Sequence, residues 1–209
     1  MTREHEKPWK PLSPDGVAAL FAAARFPWCI AGGFAIDYFV GRTLRPHGDI
    51  DVLLFRRDRA SVRAMLSDWD VWAADPPGKL RPWRLDEPLP PTVSDVWCRK
   101  DGDDAWRFQL MLDDGDDRTW RSRRCPEVGM PLSGLFSTSA GGIPYLVAEV
   151  QLFYKARAPR PKDDLDFRAC LPLLGRAQKA WLRHAIVTAY GRSVPWVAAL
   201  SDATGLAEP

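Results

Sequence analysis

Apolar residues run unbroken from Trp28 to Ala31, give way to Gly32-Gly33, and return as Ile50 and Val52 to Phe55 after a basic loop. The first run predicts a short strand. The glycine pair then turns the chain into one or two turns of helix, Phe34 to Val40, which Gly41 closes. The second run is apolar at both parities, the pattern of a central strand covered on both faces. Upstream, Ser13-Pro14-Asp15 marks a helix start, with Ser as N-cap and Pro at the first helical position, and Val17 to Phe26 continues it until Pro27. Downstream, Val62, Met65, Leu66 and Trp69 recur at helical spacing within Arg57 to Trp69. Val71 to Ala73, Asp95 to Arg99, Ala105 to Leu112 and Thr119 to Arg124 read as strands.

The period becomes helical near the C-terminus, in Tyr145 to Arg157, Pro161 to Leu174, and Arg176 to Tyr190, which Gly191 stops. The predicted organisation is a flexible lead-in over 1–13, a strand-rich domain over 14–125, a linker rich in Pro, Gly and Ser over 126–143, and a C-terminal helical domain over 144–209.

Composition narrows the function classes. At 209 residues and 46% hydrophobic content the chain can bury one good core. A formal charge of +2, with both signs mixed along the chain, argues against long nucleic acid as the main partner. No apolar run approaches the roughly 18 residues that span a bilayer, and MTREHEKPWK has no apolar signal core, so a cytoplasmic protein is expected. Cys29, Cys98, Cys125 and Cys170 are scattered without a CxxC spacing and read as free thiols.

Candidate chemistry concentrates at the second strand. Asp49 and Asp51 leave one face of an extended segment a single pleat apart, a separation set by the rise of roughly 3.3 Å per residue. Two ionised groups at the mouth of an apolar strand cost stability unless they are paired or bind a cation, so this pair is a candidate divalent-metal site. The helix that starts at the glycine turn offers backbone N–H groups and a positive dipole end to a phosphate. Arg42, Arg45 and His47 in the intervening loop screen the carboxylates, brace the loop or touch a polyphosphate, with a brace the leading reading for His47; Asp37 is expected to pair with Arg42 or Arg45. Paired aspartates behind a glycine turn suit nucleotidyl transfer, in which two Mg2+ ions acidify the attacking hydroxyl and stabilise the leaving pyrophosphate.

Three segments carry a family resemblance: G-G-x-A-I-D at 32–37, R-x-H-x-D-I-D-V at 45–52, and E-V-Q-L-x-Y-K-A-R-x-P-R-x-K-D-x-x-D-F at 149–167. Together they resemble the polymerase-beta-type nucleotidyltransferase superfamily, and within it the small aminoglycoside and lincosamide nucleotidyltransferases. The resemblance implies an α+β nucleotidyltransferase fold, a mixed twisted sheet flanked by helices, with a C-terminal helical bundle. It also implies Asp49 and Asp51 as catalytic metal ligands, and Gly32 and Gly33 as a phosphate-binding turn. Arg45 and Lys155 are expected as nucleotide contacts.

The expected third acid is missing. In the register of Trp106 to Leu112, Gln109 stands where a neighbouring-strand carboxylate is expected, and an amide accepts no proton as a base near neutral pH. Asp113, on the same face roughly 13 Å further along, and Glu149 in the helical segment are the alternatives. Asp163, Asp164 and Asp166 follow Pro161 in the first turns of a helix and read as capping residues. The expected function is metal-dependent transfer of a nucleoside monophosphate from a nucleoside triphosphate to a hydroxyl of a small molecule, an antibiotic among the candidates. The alternative is an inactive nucleotidyltransferase-fold module that binds nucleotide or a partner, as in a toxin-antitoxin pair.

Overall fold

In the computed structural model, which describes residues 4–202, the apolar run forms β2 (Asp51–Phe55), with Val52 to Phe55 all buried. It is central, as its two apolar faces require: β1 (Trp28–Ala31) pairs with it antiparallel on one side and β6 (Phe108–Gly115) parallel on the other. Outward from β6 lie β5 (Asp95–Lys100), β3 (Trp69–Ala74) and β4 (Leu80–Pro82), each antiparallel to its neighbour. Outward from β1 lie β10 (Pro144–Leu146), parallel, and β9 (Phe136–Thr138), antiparallel. A ribbon of β7 (Thr119–Ser122) and β8 (Cys125–Pro131) continues from the C-terminal end of β6.

The helices begin and end where local chemistry dictates. In α1 (Pro14–Leu20), Ser13 Oγ accepts the Gly16 N–H at 3.1 Å. The next helix, α2 (Gly32–Val40), stops at Gly41, which takes the left-handed conformation that glycine tolerates. After α3 (Arg59–Met65), the C-terminal segment supplies α4 (Ala148–Lys155), α5 (Pro161–Cys170), α6 (Arg176–Tyr190) and α7 (Trp196–Asp202). Every residue of α4 from Ala148 to Tyr154 is buried, because α2, α5 and α6 all pack against it. The Phe153 ring stacks on Tyr190 with centroids 5.1 Å apart, and burying a ring like that of Phe153 contributes about 1.5 to 3 kcal/mol. The result is an α+β fold, a mixed sheet flanked by helices with a helical C-terminal segment.

Several expectations need correction. The lead-in over 1–13 is not free over its described residues: Trp9 bridges Trp106, and the Lys10 and Leu12 N–H groups donate to the Trp106 and Arg107 carbonyls, both at 2.9 Å. Polar composition concealed this, because the contact depends on Trp9, whose ring lies 5.0 Å from that of Trp97. The linker over 126–143 instead carries β8 and β9. Their prolines and glycines read as loop, yet prolines are tolerated at the ends and edges of sheets. β10, within the expected helical segment, joins the sheet beside β1. Residues 1–3 of the lead-in and 203–209 of the C-terminal segment lie outside the described residues. Cys29, Cys98, Cys125 and Cys170 are free, and no helix among the described residues is long and apolar enough to cross a membrane.

Candidate active site

Ala31 sits opposite Asp51 in the β1–β2 register, so the chain leaving β1 enters α2 directly over that carboxylate. Gly32 has φ +67°, and a Cβ there would stand 2.1 Å from Asp51 Oδ2. Only glycine satisfies both demands. A Cβ on Gly33 would stand 2.2 Å from His47 Nδ1 and 3.1 Å from Arg45 Nη2, so the basic loop closes over the second glycine. One correction concerns the amides expected to be free here: the Gly32 N–H donates to Gln151 Oε1 on α4 at 2.7 Å.

The loop is braced through His47. Its Nε2 lies 2.6 Å from Asp37 Oδ2, and Arg45 Nη1 lies 3.1 Å from its Nδ1. Because a guanidinium only donates, Nδ1 accepts and the ring proton sits on Nε2, toward Asp37. Asp37 therefore pairs with His47 rather than with Arg42 or Arg45, and its Oδ1 also accepts the Leu44 N–H at 3.1 Å. Arg45 reaches instead to Asp166 Oδ2 on α5, at 3.2 Å.

Asp51 opens β2, whereas Asp49 precedes the strand on the exposed end of the loop. Burial, with the charges of Asp49 and then Asp95, pushes the Asp51 carboxyl up to about 7 against the opposing charges of Lys155 and Arg123. A half-buried carboxylate whose ionised form is opposed by burial and by neighbouring acids is stabilised by a bound cation. Among the described residues no group of three or more His, Cys, Asp or Glu converges to hold a metal. The pair nevertheless fits Mg2+, which commonly takes one or two carboxylates and completes its octahedron with waters and substrate phosphates.

Lys155 is clamped, with Nζ 2.8 Å from Asp163 Oδ1 and 2.9 Å from Asp166 Oδ2. Two of its three ammonium donors are used, leaving one for a phosphate oxygen. Asp163 is thus more than a cap: it accepts the Arg160 N–H and also binds the Arg160 side chain at 2.7 Å. Asp164 accepts from Trp196 Nε1 at 2.7 Å and ties α7 to α5.

Gln109 stands opposite Asp51 in the parallel β2–β6 register. The alternative acids are committed elsewhere. Asp113 is fully buried, accepting from Trp120 Nε1, Arg123 and the Tyr154 hydroxyl, and Glu149 accepts from Gln178 Nε2 at 2.8 Å. The acid that faces the site is Asp95, which begins β5. Its Oδ1 accepts from Gln109 Nε2 at 3.0 Å and lies 3.6 Å from Arg123 Nη2, and its side chain is 38% exposed. Gly32, Gly33, Arg45, Asp49, Asp51 and Lys155 line one cavity of about 620 Å3, and Asp95, Gln109, Arg123, Gln151, Arg160 and Lys162 line it too. Sequence reasoning missed Asp95, Arg123 and Gln151. Asp95 appeared only as a strand start; the turn at 100–104 signals that β5 and β6 pair, but not the register that sets Asp95 beside Gln109.

Residues 15–84 match the family model for aminoglycoside-2''-adenylyltransferase. No curated protein matches the chain. Among solved structures, the lincomycin-bound lincosamide antibiotic adenylyltransferase LnuA is 18% identical with a TM-score of 0.50, over 73% of this chain and 90% of that one. ANT(2'')-Ia in complex with adenylyl-2''-tobramycin is 18% identical with a TM-score of 0.51, over 81% and 92% of the two chains. The solution structure of the antibiotic-resistance factor ANT(2'')-Ia is 21% identical with a TM-score of 0.54, over 89% and 91%. The chain therefore has the nucleotidyltransferase fold, and its residues 15–84 are similar to the aminoglycoside-2''-adenylyltransferase family.

Proposed function

We propose that the protein transfers a nucleoside monophosphate from a nucleoside triphosphate to a hydroxyl of a small molecule, the class of reaction named for its antibiotic-modifying neighbours. The observation that carries this reading is the seating of the Gly32 turn on the Asp51 carboxylate, beside a cavity that also gathers Asp49, Arg45 and Lys155. In this reading the glycine turn lets the triphosphate approach the backbone, and Arg45, Lys155, Arg160 and Lys162 counter its charge. Asp49 and Asp51 hold Mg2+, which when bound acidifies the hydroxyl and offsets charge on the pyrophosphate.

Asp95 supplies the base that Gln109 does not. The acceptor oxygen bonds to the α-phosphorus, the bond from that phosphorus to the pyrophosphate oxygen breaks, and the hydroxyl proton passes to the Asp95 carboxylate. Gln109 and Arg123 hold that carboxylate in place through the amide bond and the ion pair. The second reading, an inactive nucleotide-binding or partner-binding module, draws its support from Gln109 alone.

The test is pyrophosphate release from a mixture of ATP, GTP, CTP and UTP with Mg2+ and pooled hydroxylated acceptors. Release that stops on chelation and in Asp49→Asn is expected. Acceptor-dependent release that survives both would sink the proposal.

A further inference from the structure

The cavity that contains Asp49 and Asp51 shares Asp95, Arg123, Arg124 and Arg157 with a second cavity of about 730 Å3, so the two adjoin across those side chains. Arg56 and Tyr190 also line the second cavity, and its acids are Asp95 and Asp114. Two of its four arginines are compensated. Arg123 pairs with Asp113 at 3.1 Å and Asp95 at 3.6 Å, and Arg56 lies 3.3 Å from Asp114. The other two, Arg124 and Arg157, are exposed and have no carboxylate partner among the described residues.

Both line that cavity together with Tyr190, and the Arg124 guanidinium lies 5.8 Å from the Tyr154 ring centroid. The Tyr190 hydroxyl is buried without a hydrogen-bond partner among the described residues. Burial pushes that phenol up, and the charges of Arg124, Arg157 and Arg123, which line the same cavity, oppose the shift. Arginine presents a planar fork of donors that matches carboxylate and phosphate oxygens, so two uncompensated guanidiniums at the rim of a cavity form an anion-recognition element. A polyamine acceptor would meet like charge there instead, an arrangement that costs affinity and steers such a ligand away.

We propose that the second cavity is the acceptor site and that Arg124 and Arg157 select a hydroxyl compound bearing a carboxylate or phosphate, not a polycationic sugar. This rests on the nucleotidyl-transfer reading, because Asp95 at the seam of the two cavities then meets the acceptor hydroxyl. The anionic group anchors the acceptor at the seam of the two cavities, on Arg124 and Arg157, leaving Arg45, Lys155, Arg160 and Lys162 to the nucleotide.

Three acceptor pools matched in size, anionic, neutral and polycationic, are offered to the protein with the four nucleoside triphosphates and Mg2+. Pyrophosphate release and direct binding of each pool to the nucleotide-loaded protein are measured. The anionic pool is expected to bind and to support release, with carboxylate-bearing and phosphate-bearing members assayed separately to identify the preferred group. Arg124→Gln and Arg157→Gln are each expected to raise KM for that acceptor at least tenfold while kcat holds and thermal unfolding is unshifted. Preferential release or binding with the neutral or polycationic pool overturns the inference, as does absence of anionic-pool binding or an unchanged KM in both variants. Loss of nucleotide binding itself would instead count against the transfer reading, so the two failures are separable.

Discussion

The Gln109 side-chain amide donates to Asp95 Oδ1 at 3.0 Å, so the residue standing opposite Asp51 on β6 holds a carboxylate one strand further out. In the proposed reaction β5 supplies the acid absent from β6. Asp95→Asn keeps the size of the side chain and removes its basicity, and kcat is expected to fall by about 10^2 to 10^4, the usual contribution of a positioned base. Nucleotide affinity is expected to hold. Gln109→Glu replaces the donated hydrogen bond with a like-charge contact and is expected to lower the rate as well; a rise in rate would show that Asp95 is not the base.

Gly32 is fixed by its surroundings twice over. A Cβ would stand 2.1 Å from Asp51 Oδ2, and the residue sits at φ +67°. Gly32→Ala is expected to displace Asp51, abolish metal-dependent nucleotide binding and lower stability by about 1 to 3 kcal/mol, the scale of local backbone strain. Denaturant unfolding and nucleotide titration of the same sample measure both effects.

The Lys155 clamp sets a dependence on acid. Burial alone would raise the Asp163 carboxyl, but hydrogen bonds from Arg160 and Lys155 and the Lys155 charge hold it well below the ordinary carboxylate range. A depressed folded-state pKa gives stability that is fully present above the unfolded value of about 3.9 and is lost as pH falls through the folded value. Melting temperature is therefore expected to fall more steeply below about pH 4 in the wild type than in Asp163→Asn. Parallel curves for the two proteins would remove Asp163 from the account.

Lys155→Ala strips the cation from between two carboxylates that are each 1% exposed. Breaking a buried pair from one side costs about 3 to 5 kcal/mol. Chemical denaturation is expected to register that loss, whereas Lys155→Arg, which keeps the charge, is expected to recover most of it.

Much of this was legible in the sequence because it is local. The apolar run at Val52 to Phe55 announced a central strand, Ser13-Pro14 and Gly41 marked helix ends, and the three motif segments carried the fold class. What was not legible depends on register and on which side chains meet once the chain folds. Asp95 gained meaning only from the antiparallel β5–β6 register, and Asp113, which shares a strand face with Gln109 on paper, is sealed by Trp120, Arg123 and Tyr154. Asp37 met His47 rather than an arginine because the loop folds the imidazole back across Gly33. The prolines and glycines over 126–143 concealed two strands, each paired with the strand next to it in sequence, because these residues are turn formers that weaken a strand pattern.

The central claim is that Asp49 and Asp51 hold Mg2+ for a nucleoside triphosphate seated on the Gly32 turn. Calorimetric titration of the four nucleoside triphosphates, with and without Mg2+, into the wild type, Asp49→Asn and Asp51→Asn tests it most directly. The account predicts binding of at least one nucleotide to the wild type that strengthens tenfold or more with Mg2+, and no Mg2+ effect in either variant. An equal Mg2+ effect in wild type and variants, or no nucleotide binding to the wild type, would contradict it.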